Sequence, residues 1–313
     1  MPRRPSVPFR QLPFEAVPDR PAVAHRWAET TRTDLVIRTD ILGEIRIAMR
    51  EYGEGPPLLL VHGLMTAGYS FRYVLEHLGR HHRLIIPDLP GAGCSGHPDC
   101  YLGPDVLACA ILAVIEARGI RGCAVVGNSL GGYLCMRAAL LDPEAIGRLV
   151  NLHSPGVPTG RMQALWWALR LLPSRGMLDW MIRRDPERWV HKDMHYFDES
   201  LKSREEHREY AAPLTTPAGR KAFYRHLRDS LDVREMRAFV ATLRTTVFPI
   251  PLLLVYADRD PVVPPIIGER LLALVPAAEL VRIAEASHFA HVDAASRFVD
   301  AIADFLARTH AAT

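Results

Sequence analysis

No stretch of this 313-residue chain stays apolar and uncharged for long enough to cross a bilayer as a helix. The opening run MPRRPSVPFRQLPFEAVPDRP is rich in proline and arginine and lacks the apolar core of a secretory signal. Cysteine is scarce, and Cys94, Cys100, Cys109, Cys123 and Cys135 form an odd set with no C-x-x-C pair. Cys123 and Cys135 lie in apolar segments, as reduced buried thiols do, so a cytoplasmic location is expected. The net charge of only +3 is too small to argue for a nucleic-acid partner, and basic and aromatic residues are not interleaved. There is no internal repeat and no low-complexity tract.

What the chain does have is a rhythm of short apolar runs and amphipathic segments. PLLLVHG (57–63), RLIIPDL (83–89), CAVVGN (123–128), RLVNLH (148–153), PLLLVYA (251–257) and ELVRIA (279–284) read as strands, most of them buried on both faces. DLVIRT and EIRIAMREYG alternate as a half-exposed pair would. YLGPDVLACAILAVIEARGI, SLGGYLCMRAALLDPEAI, GERLLALVP and ASRFVDAIADFLARTH carry apolar residues at helical spacing. Alternating strands and helices predict an α/β fold: a mostly parallel eight-stranded sheet with helices on both faces. Between about 155 and 232 the rhythm stops. The sequence there turns helical, basic and aromatic, holding Trp166, Trp167, Trp180 and Trp189 and no strand-like run. The expected division is an arm over 1–32, a core over 33–155 and 232–313, and an inserted helical cap, or lid, over 156–231.

Two glycine-rich loops compete for the chemistry. PGAGCSG (90–96) spells G-x-G-x-x-G, but Pro90 separates it from its strand and the next helix begins only near Pro104. A dinucleotide loop must open a helix directly and needs an acid about 20 residues on, so this one reads as a structural loop. No cofactor is expected. GNSLGG fits its own context better. Gly127-x-Ser129-x-Gly131 follows an apolar strand and opens a helix, the setting of a nucleophile elbow. A serine hydroxyl needs a base oriented by an acid. VYADRDPVVP places Asp258 and Asp260 just past one strand, and EASHFAHV places His288 past the next, in the order serine, acid, histidine. For the oxyanion, the N–H of Leu130 at the helix start and that of Leu64 after His62-Gly63 are the expected donors. His288-x-x-His291 mimics metal spacing, but with no ligand cluster recognisable beside it no metal is expected.

Taken together, HGLM, DLPGAGCSG, GNSLGG, ADRDPVVP and SHFAHVD resemble the α/β-hydrolase superfamily in order and spacing, over nearly all of 34–155 and 232–310. The resemblance is to serine carboxylesterases and lipase-like members with a helical cap. It implies Ser129 as nucleophile, His288 as base and acid, and Asp260 as the orienting acid, with Asp258 the fallback because Ala257 stands where the family has glycine. It also implies that DLPGAGCSG is the family's loop after the preceding strand.

Serine rather than aspartate at position 129 points to attack on a carbonyl, hence to hydrolysis of a carboxylic ester through an acyl-enzyme. The expected substrate is a small molecule with an apolar part, and Met65, Trp166, Leu169 and Phe289 are the candidate pocket residues. Met162, Leu165, Trp166 and Leu169 share one face of the helix RMQALWWALRLL, which serves a pocket or the packing of the cap equally well. GNSLGG also resembles hydrolases that cut carbon–carbon bonds in aromatic ring-fission products, although those carry a glycine-rich loop where this chain has HGLMTAGYSF. A non-catalytic binding protein is a third alternative. The cap's arginines read first as a solvated face, with a membrane-surface contact as the lesser reading. The oligomeric state is not legible.

Overall fold

Leu58, Leu59, Leu60 and Val61 are all inaccessible to solvent, and their side chains alternate between two separate apolar cores. Leu59 and Val61 join one, Leu58 and Leu60 the other, which is the period-two outcome for a strand covered on both faces. This strand is β3 (Pro57–Val61) of a sheet that also contains β1 (Thr31–Thr39), β2 (Gly43–Tyr52), β4 (Arg83–Pro87), β5 (Cys123–Asn128), β6 (Ile146–Leu152), β7 (Leu252–Ala257) and β8 (Glu279–Ile283). The computed structural model describes residues 7–171 and 173–308. Within them the eight strands run in the order β1-β2-β4-β3-β5-β6-β7-β8. The β1–β2 and β2–β4 pairs are antiparallel and all the others are parallel.

In chain order the α-helices of the described residues are α1 (Leu75–Gly79), α2 (Pro104–Ala117), α3 (Leu130–Leu141), α4 (Gly160–Leu171), α5 (Ser174–Arg184), α6 (Pro186–Asp193), α7 (Arg204–Ala211), α8 (Pro217–Arg225), α9 (Val233–Thr245), α10 (Ile266–Leu274), α11 (Ala290–Asp293) and α12 (Ala295–Ala307). Leu107 and Ile111 of α2, Leu134 of α3, Phe239 of α9 and Leu271 of α10 fill the core on one side of the sheet. Leu75 of α1 and Phe298 and Ile302 of α12 fill the other. The outcome is a mostly parallel α/β sheet clad on both faces, with the helices α4 to α8, the segment expected as the cap, inserted between β6 and β7.

The cap and the core meet partly through charge. Arg72, just ahead of α1, and Glu206 of α7 form an ion pair of 2.7 Å with both side chains fully buried. Tyr196 donates its hydroxyl to Glu206, and Arg72 lies 4.6 Å from the ring centre of Tyr69. Lys202 and Glu199 make a second buried pair at 2.6 Å. Residues ahead of β1, read from sequence as having little core-forming pattern, bury Phe14, Val17 and Trp27. They also lie against the cap: Arg204 N–H donates to the Pro18 carbonyl at 2.8 Å, and Phe9 N–H to that of Phe197 at 3.2 Å. All five cysteines are free thiols.

Candidate active site

β5 ends at Asn128, α3 begins at Leu130, and Ser129 makes the whole connection. Its backbone is left-handed, with φ 52° and ψ −118°, a strained conformation for a residue with a Cβ. The turn is possible because glycines flank it. A Cβ on Gly127 would come within 2.6 Å of Gly132 Cα, and one on Gly131 would collide with the Val61 and His62 carbonyls. Gly63 on the neighbouring loop comes equally near, since a Cβ there would lie 3.0 Å from that of Ser129. The serine is thus held between the start of a helix and the end of β3. The first N–H groups of α3 have no partner within the helix and point toward this spot.

The loops after β7 and β8 bring in an acid and a histidine. His288 donates from Nδ1 to Asp260 Oδ2 at 2.6 Å, with both residues buried. The other oxygen of Asp260 accepts the N–H groups of Val262 and Val263 at 2.7 and 2.9 Å. Burial pushes the Asp260 carboxyl upward, but the His288 charge and hydrogen bond together with the backbone donors outweigh it and hold it below the usual range. Asp258 faces away, in an exposed ion pair with Arg282 at 2.8 Å. The two aspartates of the ADRD turn are therefore distinct in environment, and only Asp260 reaches the histidine.

Sequence reasoning missed two residues beside this pair. Asn128, immediately before Ser129, is buried and donates from Nδ2 to the His288 carbonyl at 3.4 Å. His153, at the end of β6, places its ring centre 5.5 Å from that of His288, and its Nε2 accepts the Ala257 N–H at 2.9 Å. Burial pushes His153 down to about 3, so it is a neutral packing and hydrogen-bonding element. The available signal was a polar residue ending a wholly apolar strand at the sheet's carboxyl edge.

Nitrogen and oxygen atoms of His153, Asp260 and His288 lie within 4.8 Å of one another, a spacing that would suit a metal. Asp260, expected beside His288 as its orienting acid, thus forms with it and His153 a three-residue cluster that the sequence did not reveal. The two oxygens of Asp260, Nδ1 of His288 and Nε2 of His153 are all engaged in the hydrogen bonds above, which leaves a poor donor set for an ion. His291 lies apart, fully buried between Phe71 and Phe289, and burial holds it well below the ordinary histidine value.

Residues 56–295 match the alpha/beta hydrolase fold family. The chain belongs to that family. It is 28% identical over 284 residues to the 2-hydroxymuconate semialdehyde hydrolase of Pseudomonas sp. strain CF600, covering 88% of this chain and 95% of that protein. It is 26% identical to the sn-1-specific diacylglycerol lipase of Xenopus laevis, covering 80% of each. Among solved structures, a thermophilic esterase from Thermogutta terrifontis superposes with a TM-score of 0.70 at 21% identity, over 88% of this chain and 98% of that one. These relatives share a fold and carry different substrate names, so the pocket has to speak for this alpha/beta hydrolase.

A cavity of about 430 Å³, its open mouth included, opens between the sheet edge and the cap. Leu64, Met65 and Leu130 line its floor, and Tyr210, Leu214 and Phe223 come from the cap. Leu64 and Leu130, whose N–H groups are the expected oxyanion donors, both line it, whereas Ser129 and His288 are not among its lining residues; Met65, at φ 65°, lies on the bend after β3. Trp166, Leu169 and Phe289 are not among the lining residues. Trp166 donates from Nε1 to Asp232 at 2.9 Å under the Arg170 guanidinium, Leu169 is buried within the cap, and Phe289 packs edge-on against Tyr196. The apolar lining comes from α8 and the turn before it rather than from α4. Two histidines border the cavity. His62 donates from Nδ1 to the Gly63 carbonyl and accepts the Leu89 N–H, tying the oxyanion loop to the DLPGAGCSG loop. His226 bonds the Pro90 carbonyl at 2.6 Å. Burial lowers both, His226 to about 4, so both are uncharged at neutral pH. The G-x-G-x-x-G loop is braced from within, Asp88 accepting the Cys94 N–H and Ser95 donating to the Asp88 carbonyl, and no helix opens from it before Pro104.

Proposed function

We propose that this alpha/beta hydrolase cleaves carboxylic esters with an apolar part, through an acyl-enzyme on Ser129. In this reading the Ser129 oxygen bonds to the ester carbonyl carbon while His288 takes the hydroxyl proton, oriented by Asp260. The N–H groups of Leu64 and Leu130 stabilise the resulting oxyanion. Collapse breaks the bond to the alcohol, which leaves with the proton from His288, and water then releases the acid by the same steps in reverse. Met65, Leu214 and Phe223 supply the apolar surface for the substrate. Residues 156–231 act as the lid over the site, and residues 1–32 as an arm against that lid.

The observation that carries the ester reading is the charge of the cavity. Its lining contains no lysine and no arginine, and its two histidines are neutral. A neutral, largely apolar ester suits such a space, whereas burying a free carboxylate without a cation is costly. The runner-up, hydrolysis of a carbon–carbon bond in a ring-fission product, is favoured by the similarity to 2-hydroxymuconate semialdehyde hydrolase. That relative's substrate is a carboxylate, for which this cavity offers no obvious partner. The test sets a p-nitrophenyl ester series of increasing acyl length against a vinylogous 1,5-diketone carboxylate. The ester reading expects turnover of the esters and little of the diketone. Rapid diketone cleavage with negligible ester hydrolysis would replace it with the carbon–carbon reading.

A further inference from the structure

Exposed apolar side chains are normal when scattered singly, and most on this chain are. Residues 165–181 are different. Leu165, Trp167, Leu171, Met177, Trp180 and Met181 are all exposed there, Leu171 by 71% and Trp180 by 46%. They lie on α4 and α5, the two cap helices on either side of Pro173. On α5, Met177, Trp180, Met181 and Arg184 are exposed at spacings of three and four, while Ile182 on the opposite side is buried. Trp167 and Leu171 repeat the pattern one turn apart on α4. The helix pair therefore packs one face into the cap and presents a second apolar stripe to solvent. Without a partner that stripe is unfavourable.

The charges around it point to what covers it. Arg175, Arg183 and Arg184 have no acidic partner within ion-pair distance among the described residues. The guanidinium of Arg184 lies 3.9 Å from the ring centre of Trp180. The acid on α5, Asp179, is engaged by Arg220 at 2.7 Å. Beside the stripe is an open cleft of about 960 Å³, its mouth included, lined by Arg175, Asp179, Arg183, Arg220 and Lys221 among others. Arg220 and Lys221 are held by Asp179 and Asp99, so the unneutralised charge is that of Arg175 and Arg183. Protruding tryptophan, methionine and leucine side chains rimmed by unpaired arginines match a fluid anionic surface better than a preformed apolar groove.

We propose that the outer face of α4 and α5 docks on an anionic phospholipid bilayer. Trp167, Leu171, Met177, Trp180 and Met181 enter the boundary between headgroups and acyl chains, and Arg183 and Arg184, beside and within the stripe, face the lipid phosphates. No helix of the described residues is long and apolar enough to cross a membrane, so this contact is one-sided. The inner side of the same cap contributes Leu214 and Phe223 to the cavity, and α5 packs against α8, which carries Phe223. Docking thus sets the cavity close to the lipid–water boundary.

Flotation of the full chain with phosphatidylglycerol–phosphatidylcholine vesicles, against phosphatidylcholine alone, tests this. Binding to the anionic vesicles is expected, weaker at high salt, and absent with the neutral ones. Trp180→Glu with Met181→Glu should lower it at least tenfold. Each arginine near an anionic surface contributes roughly fivefold, so Arg183→Gln with Arg184→Gln should lower it roughly 25-fold. Ser129→Ala should float like the parent, which separates this result from the reaction assigned to the site. All these side chains face solvent, so an unchanged melting temperature certifies each variant. No flotation, or flotation untouched by both sets of variants, would overturn the proposal. So would a dimer in solution that Trp180→Glu dissociates, which would assign the face to a second copy of the chain.

Discussion

The carboxyl edge of the sheet and the joint between cap and core hold their residues in place by opposite means. At the sheet edge, position comes from backbones in close approach: Gly127 and Gly131 leave no room for a Cβ, Gly63 comes nearly as close, and Ser129 is fixed in a strained turn between them. At the joint, position comes from buried charge, Arg72 of the core against Glu206 of the cap, with Tyr196 and Tyr69 around them. A close-packed edge specifies geometry to within a fraction of an ångström and tolerates no added atom. A buried ion pair gains little net stability over an apolar pair, but it is costly to break by halves. The difference separates what must be rigid, the reacting atoms, from what must be matched, a helical roof on a sheet.

The largest expected effect breaks the sheet edge. Asp260→Asn should lower turnover on the order of 10⁴-fold, because it removes the acceptor that orients His288, whereas Asp258→Asn, in an exposed pair, should change it less than about twofold. Steady-state kinetics on a shared ester substrate decides this, and equal losses in the two variants would remove the distinction drawn between them. At the joint, Arg72→Met should destabilise the fold by about 3–5 kcal/mol in urea unfolding, since Glu206 would stay buried without its partner. Adding Glu206→Leu should recover most of that loss. A further loss in the double variant would show that the pair contributes more than mutual neutralisation.

A smaller effect probes the contact between the two regions. Asp293, five residues past His288, accepts N–H groups from Ser287 at 3.3 Å and from Phe197 of the cap at 2.7 Å. Burial pushes its carboxyl up to about 6 from 3.8. Over that window the folded protein keeps a proton that the unfolded chain has lost, so this group makes stability fall as pH rises from about 4 to about 6. The contribution is at most about 3 kcal/mol. Asp293→Asn should flatten the slope of melting temperature against pH in that interval, and an unchanged slope would assign the proton elsewhere.

β3 to β7 were legible because each is a short apolar run buried on both faces, and β1 and β2 because they alternate; β8, read from ELVRIA as buried in the same way, is instead a partly exposed edge strand. The elbow was legible because glycine spacing and a strand-to-helix junction constrain one another. Asp260 and Asp258 could be ordered only by resemblance, and it is the reach of the side chain to His288 that separates them in space. Asn128 and His153 escaped notice because their hydrogen bonds run to residues far along the chain, and nothing local marks such a partner. The cap misled for a related reason. Its tryptophan-rich helix has the composition of a pocket lining, yet Trp166 is engaged by Asp232, while Leu214 comes from a single 3₁₀ turn and Phe223 from the short helix α8. The residues ahead of β1 looked irregular, and they bury Phe14 and Trp27, each at the start of a single 3₁₀ turn (Phe14–Ala16 and Trp27–Glu29), by leaning on the cap and core.

In the proposed reaction Ser129 is the nucleophile, and incubation with a fluorophosphonate followed by mass spectrometry of the intact chain and its peptides puts that role to the test. The prediction is one covalent adduct on the peptide containing Ser129, abolished in Ser129→Ala and greatly slowed in Asp260→Asn. No mass gain, or an adduct that survives in Ser129→Ala, would contradict it.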